Sequence, residues 1–464
     1  MNATKIILRC VLLVSVMLSI FFKPTNFLGQ IKNTNDSPSQ QSKIISTIQN
    51  SLTLEQCIKI ALENNPSIGY KRWEIKAVNA QKNKAISQRW PSFSGVGSYS
   101  HYSDTLRLAP PRRLGYPLVF ADEVLAWNLE ISIPIFTGGR ITNEIKAAEL
   151  LQQSAEYRLV YTRQELIFGV SSVFLSILKQ REIIKFLDFS LMTLEEHTKR
   201  VKELMAAKKA AKVDILRMEV RLADIEQKME KEKNLLAIQN RVLANLMGVN
   251  AINFAISPQI ELQFVEIRIN LEESLNKAYA NRADYHAAQA AVNAQAKQVK
   301  VTQAAYWPSV SIYGSYGARK AVGSYIKSAG ANGLEDIGQF GCFFEIPVFE
   351  GGKTKARVSQ EQAKLVLHKE KLRGLELKIR LDVETAVFNL RSTRKRILVT
   401  EKAIEQANES LRIEMEKYNL GKGSITNILD AQSALLDVQT SHYIALADYN
   451  ISIAQLQLAQ GGEQ

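Results

Sequence analysis

The sequence predicts a mainly α protein with a β component: a tandem duplication of long α-helical hairpins, each copy adding two β-strands. Three observations carry this. The strand-to-helix corner Ile133-Pro134-Ile135-Phe136-Thr137-Gly138-Gly139-Arg140 returns 213 positions later as Ile346-Pro347-Val348-Phe349-Glu350-Gly351-Gly352-Lys353. Stretches of alternating apolar and polar residues lead into both corners. Beyond the first corner no proline occurs between Pro134 and Pro258, so one uninterrupted helix fits there.

The repeat extends well past the corners. The same offset aligns Val170 with Val383, Leu222 with Leu435, and Gly248 with Gly461. Upstream the offset is 217, pairing Trp90-Pro91-Ser92 with Trp307-Pro308-Ser309 and Gly97-Ser98-Tyr99 with Gly314-Ser315-Tyr316. The four-residue change falls between the strands, where a loop must lie. Repeat 1 covers 52–248 and repeat 2 covers 270–461, with an inter-repeat segment at 249–269.

Residues 1–29 read as an export signal, with Lys5 and Arg9 ahead of an apolar run at 11–22. That run is short for a membrane span, which needs about 20 apolar residues; a retained anchor is the alternative. Cleavage is expected before Gln30, and no cysteine stands at lipobox distance. Residues 30–51 form a polar leader. Cys10 belongs to the signal, and Cys57 and Cys342 are expected to be buried apolar fillers, with no metal or disulfide spacing. The formal charge is +13, from 59 basic and 46 acidic residues. These charges are interleaved rather than striped, which points to solvated helix faces and away from nucleic acid.

Thr53-Leu54-Glu55 opens the first helix, expected to run to about residue 88, broken or bent near Asn65-Pro66. The first β-hairpin spans 90–136. Phe93, Gly95, Gly97 and Tyr99 share one face against Ser94, Ser98 and Ser100; Leu125, Trp127, Leu129, Ile131 and Ile133 oppose Asn128, Glu130 and Ser132. Turn formers at 110–117 separate the two strands. In the second hairpin, 307–349, Val310, Ile312 and Tyr316 alternate with serines, and Phe340, Phe344 and Ile346 oppose Gly341 and Glu345, with Phe343 breaking the polar face.

Each strand is expected to be about ten residues long with one apolar side, as a membrane-spanning strand requires. A half-buried strand of a soluble sandwich has the same alternation, but two isolated hairpins make a poor sandwich beside so much helix. Four strands cannot close a barrel, because the smallest spanning barrels use about 8, and open edges are not tolerated in lipid. Strands that span would oblige several chains to share one barrel.

Ile167, Val170, Phe174 and Ile177 step by three and four, a coiled-coil seam. One helix from 140 to about 207 would be ~100 Å long at 1.5 Å per residue. The return helix to 247 covers only half of it, and the helix before the strands supplies the other half. Repeat 2 is read the same way, with a helix from 271 to about 306 and a helical hairpin at 353–460.

This arrangement resembles the TolC-like outer-membrane factor family over nearly the whole mature chain. The carriers are the helix starts with Leu54, Glu55 and Ala61 and with Leu271, Glu272 and Ala278, the two Trp-Pro-Ser openings, the two Pro-x-Phe-x-Gly-Gly corners, and above all the second hairpin tip, 418–431. No one motif is strong; their order, duplication and spacing are specific. The resemblance implies a homotrimer whose four strands per chain make a twelve-stranded outer-membrane β-barrel over a periplasmic α-barrel. It implies outer-membrane lipid, a periplasmic adaptor protein and an inner-membrane pump as partners, in the outer membrane of a Gram-negative bacterium.

It also implies a pore constriction at the second tip. The family's Asp-x-x-Asp pattern reads Asn427 and Asp430 here, so one acidic ring is lost, which should weaken cation selectivity and divalent-ion block. Tyr418 and Asp214 match a gate latch, and Gly423 stands where the family carries a basic latch residue. Asp430 and Asp214 as solvated acids near helix starts are the alternative. Adaptor contact falls to the tips, at Gly421, Gly423 and Ser424 and at Lys208, Lys209 and Lys212, where the expected glycine is replaced. These lysines either meet an acidic adaptor tip or keep an exposed turn soluble. The strand–helix corners rest on Pro134, Gly138 and Gly139 and on Pro347, Gly351 and Gly352.

Gly351-Gly352-Lys353-Thr354 imitates part of a phosphate loop, but such a loop needs glycine where Pro347 stands. No nucleophile–base or metal constellation is evident, so neither catalysis nor a cofactor is expected. The function expected is the exit duct of a tripartite efflux system. A type I protein-secretion duct and a periplasmic coiled-coil scaffold are the rivals.

Overall fold

The computed structural model describes residues 52–108, 119–208, 211–250, 262–327 and 333–462. The export signal, the polar leader, the turn formers at 110–117, Lys209 and most of the inter-repeat segment lie outside the described residues. Residues 54–250 and 260–464 form one compact unit; of the other, 1–53 with 251–259, only Leu52 and Thr53 are described.

The unit reads α1 (Leu54–Asn64), α2 (Pro66–Ser87), β1 (Ser92–Arg107), β2 (Val119–Phe136), α3 (Arg140–Ala206), α4 (Lys212–Leu246), then α5 (Leu271–Asn281), α6 (Ala283–Gln303), a 3₁₀ turn (Ala304–Tyr306), β3 (Ser309–Lys327), β4 (Leu334–Glu345), α7 (Lys353–Asn419) and α8 (Ile425–Ala459). The two long helices have 67 residues each and the two return helices 35. Each long helix is lined by its return helix over one half and by the paired short helices over the other. Helix α3 also carries α6 of the second repeat, so the two copies interlock along it. Of the expected seam, Val170, Phe174 and Ile177 are fully buried and Ile167 is half-buried.

The break before α2 has a visible cause. Asn65 caps the helix, its side-chain oxygen accepting the Ser67 N–H at 2.8 Å, and Pro66 fills the first position, where no N–H is needed. In repeat 2 the helix expected over 271–306 is likewise divided: α5 and α6 separate at Arg282, where ψ swings to 117° without a proline. Arg282 is 2% exposed and is held by Asp284 at 2.8 Å and by Asp382 of α7 at 3.1 Å. That buried ion pair replaces the proline as the reason for the kink.

The four strands form one antiparallel sheet in the order β1-β2-β3-β4, leaving β1 and β4 as edges. They run 16, 18, 19 and 12 residues rather than about ten. The excess carries polar residues such as Asp104, Arg319 and Lys320, where no apolar contrast marks the period. Paired residues place Phe93 with Ile131, Gly97 with Trp127, Leu129 with Tyr316, and Gly314 with Phe340, so one apolar face runs across all four strands. Cys342, paired with Ile312, lies on that face and is exposed, against the expectation of burial; Cys57 is buried.

Both corners use left-handed glycines, Gly138 and Gly139 at φ 60° and 82° and Gly351 and Gly352 at φ 59° and 85°. Only glycine takes this conformation without a Cβ clash. Pro134 sits where the β2–β3 register shifts before Phe136, a position that tolerates a missing N–H. Pro347 follows the end of β4.

Candidate functional site

The tips of the two helical hairpins hold the candidate constriction, latch and adaptor-contact residues, and the strand–helix corners hold the rest. Four helices converge there on one apolar core: Leu194 and Val201 from α3, Ile215 and Met218 from α4, and Ile425 and Ile428 from α8, with Met415 and Tyr418 of α7 packed on it. Polar residues of the same turns are left at the surface.

The second tip turns through Gly421 at φ 71°. Gly421 donates its N–H to the Tyr418 carbonyl and Lys422 to that of Lys417, both at 2.9 Å, closing the last turn of α7. Gly423 lies so close to α7 that a Cβ there would stand 2.8 Å from the Tyr418 nitrogen. A basic side chain at that position has no room in this turn. Ser424 then caps α8, its hydroxyl accepting the Thr426 N–H at 3.2 Å.

The first tip makes the same turn with a different residue. Lys208 adopts φ 59°, at the repeat position of Gly421, and donates its N–H to Met205 as Gly421 does to Tyr418. The glycine signal is therefore absent from the sequence although the geometry is kept, at the strain a side chain brings in this region. Lys208 and Lys212 are exposed, as are Gly421 and Ser424.

Asp214 and Asn427 occupy equivalent third positions of α4 and α8. The Asp214 carboxylate accepts the Ala211 N–H at 3.2 Å, satisfying the helix start and its dipole. Asn427 donates its amide to Glu414 of α7 at 3.1 Å. Glu414, also bonded by Lys417 at 2.6 Å, is held below the usual carboxylate range first by Lys417 and then by Asn427.

Burial pushes the Tyr418 phenol up, Asp214 adds to the effect and Arg200 opposes it. Tyr418 and Asp214 are thus electrostatic neighbours, but no hydrogen bond joins them among the described residues. Asp430 is exposed, on the first turns of α8.

Two arginines that the sequence reading passed over join the hairpins. Arg217 of α4 donates to the Thr426 hydroxyl at 2.7 Å, and Arg221 reaches Ser433 while pairing with Asp224 at 3.0 Å. The repeat offset makes Asp430 the counterpart of Arg217, but nothing in the sequence announces the contacts these arginines make with Thr426 and Ser433. At the imitation phosphate loop, the Thr354 hydroxyl bonds back to Glu350 and is 6% exposed, so it presents no group to a ligand.

Comparison with known proteins agrees with this architecture. The family model described as "Outer membrane efflux protein" matches residues 57–249 and 274–462. The outer membrane efflux protein BepC of Brucella suis is 20% identical over 338 residues, covering 71% of this chain and 70% of BepC. The outer membrane protein OprJ of Pseudomonas aeruginosa is 22% identical over 413 residues, 85% of this chain and 82% of OprJ. Among solved structures, the Campylobacter jejuni CmeC outer membrane channel superposes with a TM-score of 0.76 at 17% identity, covering 88% of this chain and 85% of CmeC. The open state of the Neisseria gonorrhoeae MtrE outer membrane channel gives 0.72 at 19% identity, over 88% and 89%.

Proposed function

The chain belongs to the outer membrane efflux protein family, and from that premise we propose that it is the exit duct of a tripartite efflux system. It is an outer-membrane protein. In this reading three copies share a twelve-stranded barrel that continues into an α-helical tunnel. The duct is passive: an inner-membrane pump supplies the energy, a periplasmic adaptor joins the two, and small molecules or drugs pass through.

One observation carries the reading. A four-stranded sheet with an apolar face keeps both edges, β1 and β4, without a strand partner among the described residues. In lipid those edges must be satisfied, and four strands are too few to close on themselves. Strands from further copies meet both demands and set the long helices around a common axis.

At the tips, Asp430 and Asn427 form the constriction, Tyr418 and Asp214 are its latch, and the exposed residues of the two turns, Lys208, Lys212, Gly421 and Ser424, meet the adaptor. The tight packing of Gly423 supports a lock without the basic residue. Reconstitution into planar bilayers tests the duct. Discrete, long-lived conductance steps are expected; a protein that inserts without conducting would remove the function proposed.

A further inference from the structure

The two repeats use one pairing rule, and the described strands allow it to be checked on one interface and then applied to another. In β1–β2, Ser92 pairs with Ser132 and Gly97 with Trp127; in β3–β4 their repeat counterparts pair identically, Ser309 with Glu345 and Gly314 with Phe340. The β2–β3 pairing, which joins the two repeats, has no counterpart among the described residues. Its counterpart would join β4 to β1 of a second copy.

The geometry assigns that missing interface residue by residue, as a deepening of the shared-barrel reading on which it rests. Ile131 pairs with Gly314 and Leu129 with Tyr316. Carried through the repeat, Phe344 faces the partner's Gly97, and Cys342 faces the partner's Tyr99. The sterics of the internal interface support the transfer. Gly314 is wedged between neighbours, and a Cβ on it would lie 2.9 Å from Ile131 and 3.4 Å from Phe340. Gly97 meets only the Ala126 oxygen, at 4.0 Å, and Phe344 is 61% exposed. A large residue on one edge and an empty glycine on the other are what Ile131 and Gly314 become when separated.

The corner tells the same story independently. Gly138 is packed so that a Cβ would stand 2.7 Å from the Trp307 Cβ and 2.8 Å from the Ala304 carbonyl, whereas Gly351 has nothing within 4 Å. Its matching surface is the partner's Trp90, at the repeat position of Trp307. Phe136, paired with Val310 on β3, is 44% exposed; its counterpart Phe349 is 89% exposed. The occupant that fits both the strand edge and the corner is a second copy of this chain, in one register.

Cys342 makes the register testable with a single substitution. Directly opposed residues on antiparallel strands have Cα atoms about 4.5–5.5 Å apart, within disulfide range. Tyr99→Cys in the full chain, extracted from outer membranes and oxidised, is expected to cross-link at least ~10-fold faster than Gly97→Cys or His101→Cys, each two residues out of register, and to give a covalent ladder ending at three chains. The unsubstituted chain is expected to give none. The pair Gly97→Cys and Phe344→Cys in a Cys342→Ser background reads the same register should Tyr99→Cys fail to fold. Faster linkage at residue 97 or 101, or none at 99 in a particle of three chains, would overturn the register and leave the shared barrel standing. A monomeric particle would overturn both.

Discussion

Arg217 reaches from α4 to the Thr426 hydroxyl on α8, 209 positions along the chain, and holds the two hairpin tips together at 2.7 Å. A charged donor on a neutral hydroxyl is a stronger tie than a neutral pair. With Arg221 on Ser433 one turn further on, it clasps the two hairpin tips of one chain to each other. Arg217→Ala should therefore loosen the tip. Single-channel recording is expected to show several-fold more time in high-conductance levels, and unchanged gating would separate the clasp from the gate.

Asp430 is exposed on α8 close to this clasp. Three such carboxylates around an axis would attract cations and resist approach to one another. Asp430→Ala is expected to raise conductance or lower the preference for potassium over chloride, read as a shift in reversal potential under a salt gradient. Unaltered currents would place Asp430 away from the constriction.

Lys208 and Gly421 make the same left-handed turn with different chemistry. A side chain in that region costs about 1–2 kcal/mol, offset in part by the greater entropy glycine loses on folding. Lys208→Gly should stabilise the first tip by about 0.5–1 kcal/mol, whereas Gly421→Lys should destabilise the second. Thermal melts of the two variants moving in the same direction would contradict this.

Arg282 is the buried cation at the α5–α6 break, with Asp284 and Asp382 as its partners. Although burial disfavours its charge, Asp284 and then Asp382 hold the guanidinium firmly protonated. Arg282→Met would leave two carboxylates uncompensated, at a cost of about 3–5 kcal/mol. A melting temperature within a degree or two of the parent would show the pair to be dispensable.

Cys57 and Cys342 should differ in reactivity. Burial pushes the Cys57 thiol up to about 11, so at pH 8 only about one molecule in a thousand carries the reactive thiolate there. Cys342 is exposed. A lipid-soluble maleimide, able to enter the apolar face on which Cys342 lies, is expected in mild detergent to label Cys342 before Cys57, which it reaches only after unfolding, with mass spectrometry of peptides as the readout.

Much of this architecture was legible because long periods are hard to mistake. A helix of 67 residues without proline and strands with one apolar face leave their marks at many positions. What escaped depended on single residues. The kink at Arg282 has no proline to announce it and arises from an ion pair to Asp382, 100 positions away. Strand ends beyond the apolar band have no contrast to read. Cys342 stands between Phe340 and Phe344 on one face, so its exposure was available from the alternation and was missed. At the tips, the position of Asp430 followed from resemblance, whereas the Arg217–Thr426 contact required the two hairpins to be brought together in space.

If the function proposed holds, the open sheet is one part of a barrel shared by several chains. The most direct test is the light-scattering mass of the protein extracted from outer membranes in mild detergent, with the detergent's mass subtracted. Three chains per particle are expected. A single chain per particle, or protein released from membranes without detergent, would contradict the shared barrel and return the molecule to a coiled-coil scaffold.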